Sequence, residues 1–155
     1  MAKILLVSEG VSEHKAVERY TIGLACSLKY DIKLLFIADE RYAIELIGGG
    51  LHERGVDAIK EEVEEKAREE LNVFRDLSLN IEYRVKTGIS HEIVMEELEK
   101  DRDIKLLIVG YSPTGWLKEL VDKPRLPDII KKRKIPVLIV PEDISEEDFF
   151  SILKC

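Results

Sequence analysis

Apolar residues along this chain keep two alternating rhythms. Short, nearly unbroken and β-branched runs occupy Ile4 to Val7, Ile32 to Ile37, Ile104 to Val109 and Val137 to Val140, which suits strands covered on both faces of a parallel sheet. A fifth run differs: Ile81, Tyr83 and Val85 alternate with Glu82, Arg84 and Lys86, predicting a strand at a sheet edge or with one wetted face. Between the runs, apolar positions recur every three or four residues, the spacing of a helix with one buried face. Val17, Tyr20, Thr21, Leu24 and Leu28 form such a stripe behind a capping Ser12, and Val56, Ile59, Val63, Ala67, Leu71, Phe74 and Leu77 form a second. Ile89, Ile93, Val94 and Leu98 make a third, and Leu126, Ile129 and Ile130 a fourth.

The resulting order, β-α-β-α-β-α-β-α-β, predicts right-handed crossovers and an α/β fold in which helices cover both faces of a parallel sheet. The acidic run "EEVEEKAREE" (61–70) places its charges off the apolar stripe and reads as a solvated helix face. Two segments leave the pattern. Residues 38–55, with a Gly48, Gly49, Gly50 hinge, make a connection long enough to carry function. Residues 142–155 offer a helix start at Ser145, ahead of Glu146, Glu147 and Asp148, with Phe149, Phe150, Ile152 and Leu153 as an apolar face. The expected organisation is one domain over 1–141 and a C-terminal extension, a short helix, over 142–155.

Composition narrows the function classes. At 155 residues the chain can bury a core without metal or disulfide help. A net charge of −7 argues against nucleic acid and anionic membranes as partners. The charge is uneven, because between Lys118 and Lys134 seven basic residues stand against three acidic ones. No apolar run is long enough to span a membrane, and "MAKILLVSEG" has too short an apolar stretch for a secretory signal, so a cytoplasmic location is expected. Cys26 and Cys155 are expected to be free thiols. The absence of Gln and the 35% of charged residues resemble a thermophile's usage. His14, His52 and His91 share no metal-like spacing. There is no nucleophile elbow and no strict phosphate loop, so no catalytic residue is assigned.

The pieces "KILLVSEGVSEHKAVERYTIGLA", "LLFIADE", "VKTGISHEIVMEELEKDRDIKLLIVG" and "LKELVDKPRLPDIIKKRKIPVLIVP", in this order and spacing over about 1–141, resemble the universal stress proteins. The resemblance implies a three-layer α/β/α fold of the adenine nucleotide alpha hydrolase-like type, with a five-stranded parallel sheet in the order 3-2-1-4-5. It also implies dimerisation through the last strand and, in the nucleotide-binding branch, ATP at the carboxyl ends of strands one and four, where open α/β sheets keep their ligands. By that resemblance the candidate nucleotide-contacting residues are Ser8, Glu9, Ile37, Val109, Gly110, Gly115, Lys123 and Arg125. The branch's loop reads Gly, two residues, Gly, nine residues, Gly, then Ser or Thr, a pattern that brings backbone amides close to phosphates. Laid on this chain, the first position is Gly110, but the others fall on Pro113, Lys123 and Pro124. Proline removes an amide donor, and Lys123 adds bulk where backbone contact is wanted. Near strand one the family's frequent Asp is replaced by Glu9 or Ser8, depending on where Val11 is treated as an insertion.

Three readings stay open. In the first, the chain is a homodimeric stress-response domain, not an enzyme, that holds no ATP tightly and takes no cofactor. In the second, it is an ATP-binding regulator or slow ATP hydrolase whose Lys123 and Arg125 grip phosphates with side chains; the same two residues also suit a solvated basic helix start. In the third, it is a protein-interaction module acting through the 38–55 loop and the tail. Trp116 either plugs a gap in the core or dimer or stacks on a base. The strand at 137–140, with Pro136 only at its start, is the expected dimer edge, because the other edge carries the charges of Glu82, Arg84 and Lys86.

Overall fold

The computed structural model describes residues 1–8, 15–38, 79–111 and 126–141, together with 61–72 apart from 62, 66 and 70. Its elements are β1 (Lys3–Ser8), α1 (Lys15–Leu28), β2 (Asp31–Ala38), a helix α2 described over 61–72, β3 (Ile81–Thr87), α3 (Ser90–Lys100), β4 (Ile104–Tyr111), α4 (Leu126–Arg133) and β5 (Val137–Pro141). The strands form one parallel sheet in the order β3-β2-β1-β4-β5. The expected three-layer fold and strand order are therefore those observed, with β3 and β5 as the edges.

Strand alternation sends successive side chains to opposite faces, and two cores result. On one face Ile4, Leu6, Ile32, Leu34, Phe36, Ile108 and Val140 pack with Val17 and Ala25 of α1 and Val63 and Ala67 of α2. Leu5, Val7, Leu35, Ile37, Leu107 and Val109 meet Ile93, Val94 and Leu98 of α3 and Ile129 of α4 on the other. Thr21 belongs to the buried stripe because its hydroxyl donates to the Val17 carbonyl at 2.8 Å, so no polar atom is stranded.

Some stripe positions turn outward. Leu28 and Ile130 are exposed, both in the final turns of their helices. Each helix is then closed by a left-handed lysine, Lys29 at φ 58° and Lys134 at φ 53°. The Lys134 amide donates to the Ile130 carbonyl, and the Tyr30 amide to that of Ala25. Tyr83 is 50% exposed, whereas Ile81 and Val85 on the same strand pack against the core. Cys26 is disulfide-bonded, which corrects the free-thiol expectation; the chain's other cysteine is Cys155. Cys155, the rest of the extension, the 38–55 loop beyond Ala38 and the capping Ser12 lie outside the described residues.

Candidate functional site

The carboxyl ends of the strands form the crest on which the expected site residues converge. The register that pairs Val7 with Val109 and Gly110 with Val140 sets Ser8 and Gly110 as the next steps on neighbouring strands. Ser8 is buried and Gly110 half-buried. Val109 and Ile37 are fully buried and point into the α3 side of the core, so only their backbone is available to a ligand. The crest thus brings Ser8, Ile37, Val109 and Gly110 together. Glu9, Gly115, Lys123 and Arg125, with Pro113, Trp116 and Pro124, lie outside the described residues.

Beside the crest, β3 hands over to α3 through Gly88, whose amide donates to the Ala38 carbonyl at 3.2 Å. Gly88 sits at φ +143°, and a Cβ there would meet Ile93 Cδ1 at 3.4 Å, so the turn needs glycine for its backbone more than for space. Ile89 is the helix N-cap and supplies no side-chain hydrogen bond. Ser90 is completely buried just inside the helix and flanks the cap position.

Sequence reasoning missed the most conspicuous polar cluster, which lies on the α3 face below the crest. Lys33, in the middle of β2, has a side chain only 4% exposed, with Nζ 2.9 Å from Glu97, 3.2 Å from Asp101 and 3.6 Å from Glu82. Lys3 reaches Asp101 at 2.9 Å and Glu82 at 3.2 Å. Lys86 stands 2.8 Å from the other oxygen of the buried Glu97, an ion pair without hydrogen-bond alignment. Three lysines from three strands therefore face Glu97 of α3, the Asp101 that caps its C-terminus, and Glu82 of β3. Glu82 and Lys33 are direct register partners across β2 and β3.

Burial works against each of the central charges, and the opposite charges override it. Burial pulls the Lys33 ammonium down, but hydrogen bonds to Glu97 and Asp101 leave it raised. Burial pushes Glu97 and Glu82 up, yet their lysine partners hold both below the ordinary range. Asp101 is resisted by burial too, but contacts with Lys3 and Lys33, and the Asp103 amide, bring it from 3.8 to about 2. The partners favour the charged form of each of these groups, and the cluster ties β1, β2, β3 and α3 together. A legible signal did exist, because Glu97 stands on the same helical stripe as Ile93, Val94 and Leu98.

Two surface grooves are defined by described residues. One, about 370 Å³, runs between α3 and α4 beside Met95, Glu96, Glu99, Asp128 and Lys132. The other, about 400 Å³, lies at the β3 edge beside Glu64, Arg68, Tyr83 and Arg84. Neither includes a crest residue. Among the described residues no group of His, Cys, Asp or Glu is arranged to hold a metal ion, and no helix is long and apolar enough to cross a membrane.

No family model and no curated protein matches the chain. Solved structures do match. A hypothetical protein solved as a structural-genomics test case is 23% identical, over 92% of this chain and 97% of that one, with a TM-score of 0.63. The universal stress protein from Archaeoglobus fulgidus in complex with dAMP is 15% identical over 90% and 98%, at 0.59. A universal stress protein family protein from Arabidopsis thaliana with AMP bound is 15% identical over 94% and 95%, at 0.52. At these identities the likeness is one of fold, and the chain has the fold of the universal stress proteins.

Proposed function

We propose that this chain is a universal stress protein-like regulatory domain, homodimeric and cytoplasmic, that acts in stress response by binding a partner and not by catalysis. The strand order β3-β2-β1-β4-β5, with Ser8 and Gly110 side by side on its crest, carries this reading. It sets the chain among folds whose ligands lie at that crest, while Pro113, Lys123 and Pro124 replace the loop positions that would cradle phosphates. Losing several charge-assisted backbone bonds at about 1.5–3 kcal/mol each leaves adenine nucleotides no tighter than roughly millimolar. Titration calorimetry of purified protein with AMP and with ATP tests it, and a micromolar dissociation constant for either would overturn the weak-binding claim.

A second reading is supported by the neighbours whose printed descriptions name dAMP and AMP. Here the crest binds an adenine nucleotide, and Lys123 and Arg125 supply by side chain what the loop amides do not. It demands that Lys123→Ala with Arg125→Ala abolish any affinity the titration finds.

Dimerisation is assigned to β5. It is a sheet edge with β4 on one side only, and Ile139 on it is 40% exposed. Pairing with a two-fold copy would satisfy the free ladder groups of the strand and cover that residue.

A further inference from the structure

The backbone of β3 faces two ways, and two bonds at its ends fix which residues face which. The Ile32 amide donates to the Asn80 carbonyl at 3.0 Å, and the Gly88 amide to the Ala38 carbonyl at 3.2 Å. With β2 and β3 parallel in the register that pairs Ile32 with Ile81 and Ala38 with Thr87, Glu82, Arg84 and Lys86 turn their amides and carbonyls toward β2. Ile81, Tyr83, Val85 and Thr87 turn theirs toward the outer edge. Among the described residues β3 pairs with no strand but β2.

The three charged residues of this strand are not equally committed. Glu82 is shared between Lys3 and Lys33, and Lys86 is held by Glu97. Arg84 stays at the surface with its side chain 51% exposed, and its Nε stands 3.7 Å from a Glu82 already shared with the two lysines. Together with Tyr83, Val85, and Glu64 and Arg68 of α2, it lines the groove of about 400 Å³ at this edge. Arg68 is exposed there and Tyr83 half-exposed. Two guanidiniums against one carboxylate leave the groove positive in a chain whose net charge is −7. A second copy of β3 would set like guanidiniums against one another, which disfavours self-pairing here.

We propose that the β3 edge and its groove bind an extended, acidic segment of a partner protein by strand addition. The proposal rests on the partner-binding reading above and names the surface and the partner class for it. The outward amides and carbonyls of Tyr83 and Val85 supply the ladder, and alternate side chains of the segment supply the specificity. Apolar ones lie over Tyr83 and Val85 on the α2 side, while carboxylates on the other side reach the Arg84 guanidinium, whose fork takes both oxygens. Arg68 adds attraction from the rim of the groove. Since β3 and β5 are opposite edges of the sheet, a dimer made through β5 leaves this site open.

The test is fluorescence polarisation of the full-length protein with a fluorescein-labelled, amidated peptide that alternates valine and glutamate. Saturable binding is expected, weakened about tenfold in Arg84→Glu and about tenfold again when lysine replaces glutamate in the peptide. N-methylation of alternate peptide amides should abolish binding on one set and spare it on the other, because only one set faces β3. No saturable binding, or equal binding by the two methylated peptides, would overturn strand addition. Wild-type affinity in Arg84→Glu would overturn the role of charge. A dimer that Arg84→Glu dissociates in sedimentation would give the edge to a second copy and overturn the proposal. Titration of the same preparation with AMP separates the two levels: weak AMP binding without peptide binding rejects this site alone, whereas a micromolar AMP constant rejects the reading on which it rests.

Discussion

Substituting Glu97 by Met isolates the buried charge cluster, because it removes a carboxylate while keeping the volume of the side chain. The Lys33 ammonium would lose its nearest partner, at 2.9 Å, but keep Asp101 at 3.2 Å and Glu82 at 3.6 Å. Breaking a buried pair by removing one member costs about 3–5 kcal/mol. The two remaining carboxylates argue for the lower end, about 3 kcal/mol. For a chain of this size each kcal/mol moves the melting temperature by about 2–4 °C, so a fall of about 6–12 °C is expected. Urea is the better denaturant, since guanidinium is itself a salt and screens charges. The midpoint should drop with an unchanged slope. Lys33→Met completes a double-mutant cycle in which the double variant loses less than the sum of the singles, by about 2 kcal/mol. A loss below about 1 kcal/mol in Glu97→Met, or singles that add to within about 0.5 kcal/mol, would refute the view that these charges depend on one another.

Other outcomes follow from single features. Asp101 has its pKa depressed from 3.8 to about 2, so its contribution is complete above the unfolded value and disappears as pH falls from about 4 toward 2; Asp101→Asn should flatten thermal stability across that window, and an unchanged acid limb would contradict the assignment. Lys29 adopts a left-handed conformation at the end of α1, so Lys29→Gly should stabilise by about 1 kcal/mol, read as a raised urea midpoint. Ile139→Lys places charge on the exposed edge strand without touching the buried Val140; sedimentation should show a dimeric wild type at tens of micromolar and a monomeric variant, and a monomeric wild type would remove the β5 interface.

Much of the architecture was legible because period and burial agree. Unbroken runs such as Ile32 to Ile37 became central strands, and the alternation of Ile81 to Lys86 became an edge. Charge inside a run was less legible. Lys33 and Lys105 each interrupt an apolar stretch, yet Lys33 is buried among carboxylates and Lys105 is exposed, donating to the Arg102 carbonyl. The difference lies in what stands opposite, because Glu97 of α3 and its C-cap Asp101 sit over β2, and sequence spacing cannot register one element against another. Tyr83 fits the same account: its alternation is correct, but at the sheet edge it meets too little cover to be buried. The bonded state of Cys26 was hidden for a similar reason, since nothing local to it announces a partner. At the candidate site, the crest position of Gly110 followed from its strand, while Glu9, Gly115, Lys123 and Arg125 lie outside the described residues.

The ionic cluster gives the two edges of the sheet different vulnerabilities. β3 is fastened to β1 and β2 by Glu82 and to α3 by Lys86, so its corner should loosen in acid and hold at high temperature, where desolvating charge becomes cheaper. β5 shows only aliphatic side chains and proline, and its corner should loosen in the cold, where apolar attraction fades. Amide exchange followed at low pH and again near freezing would see the molecule begin to open from opposite sides.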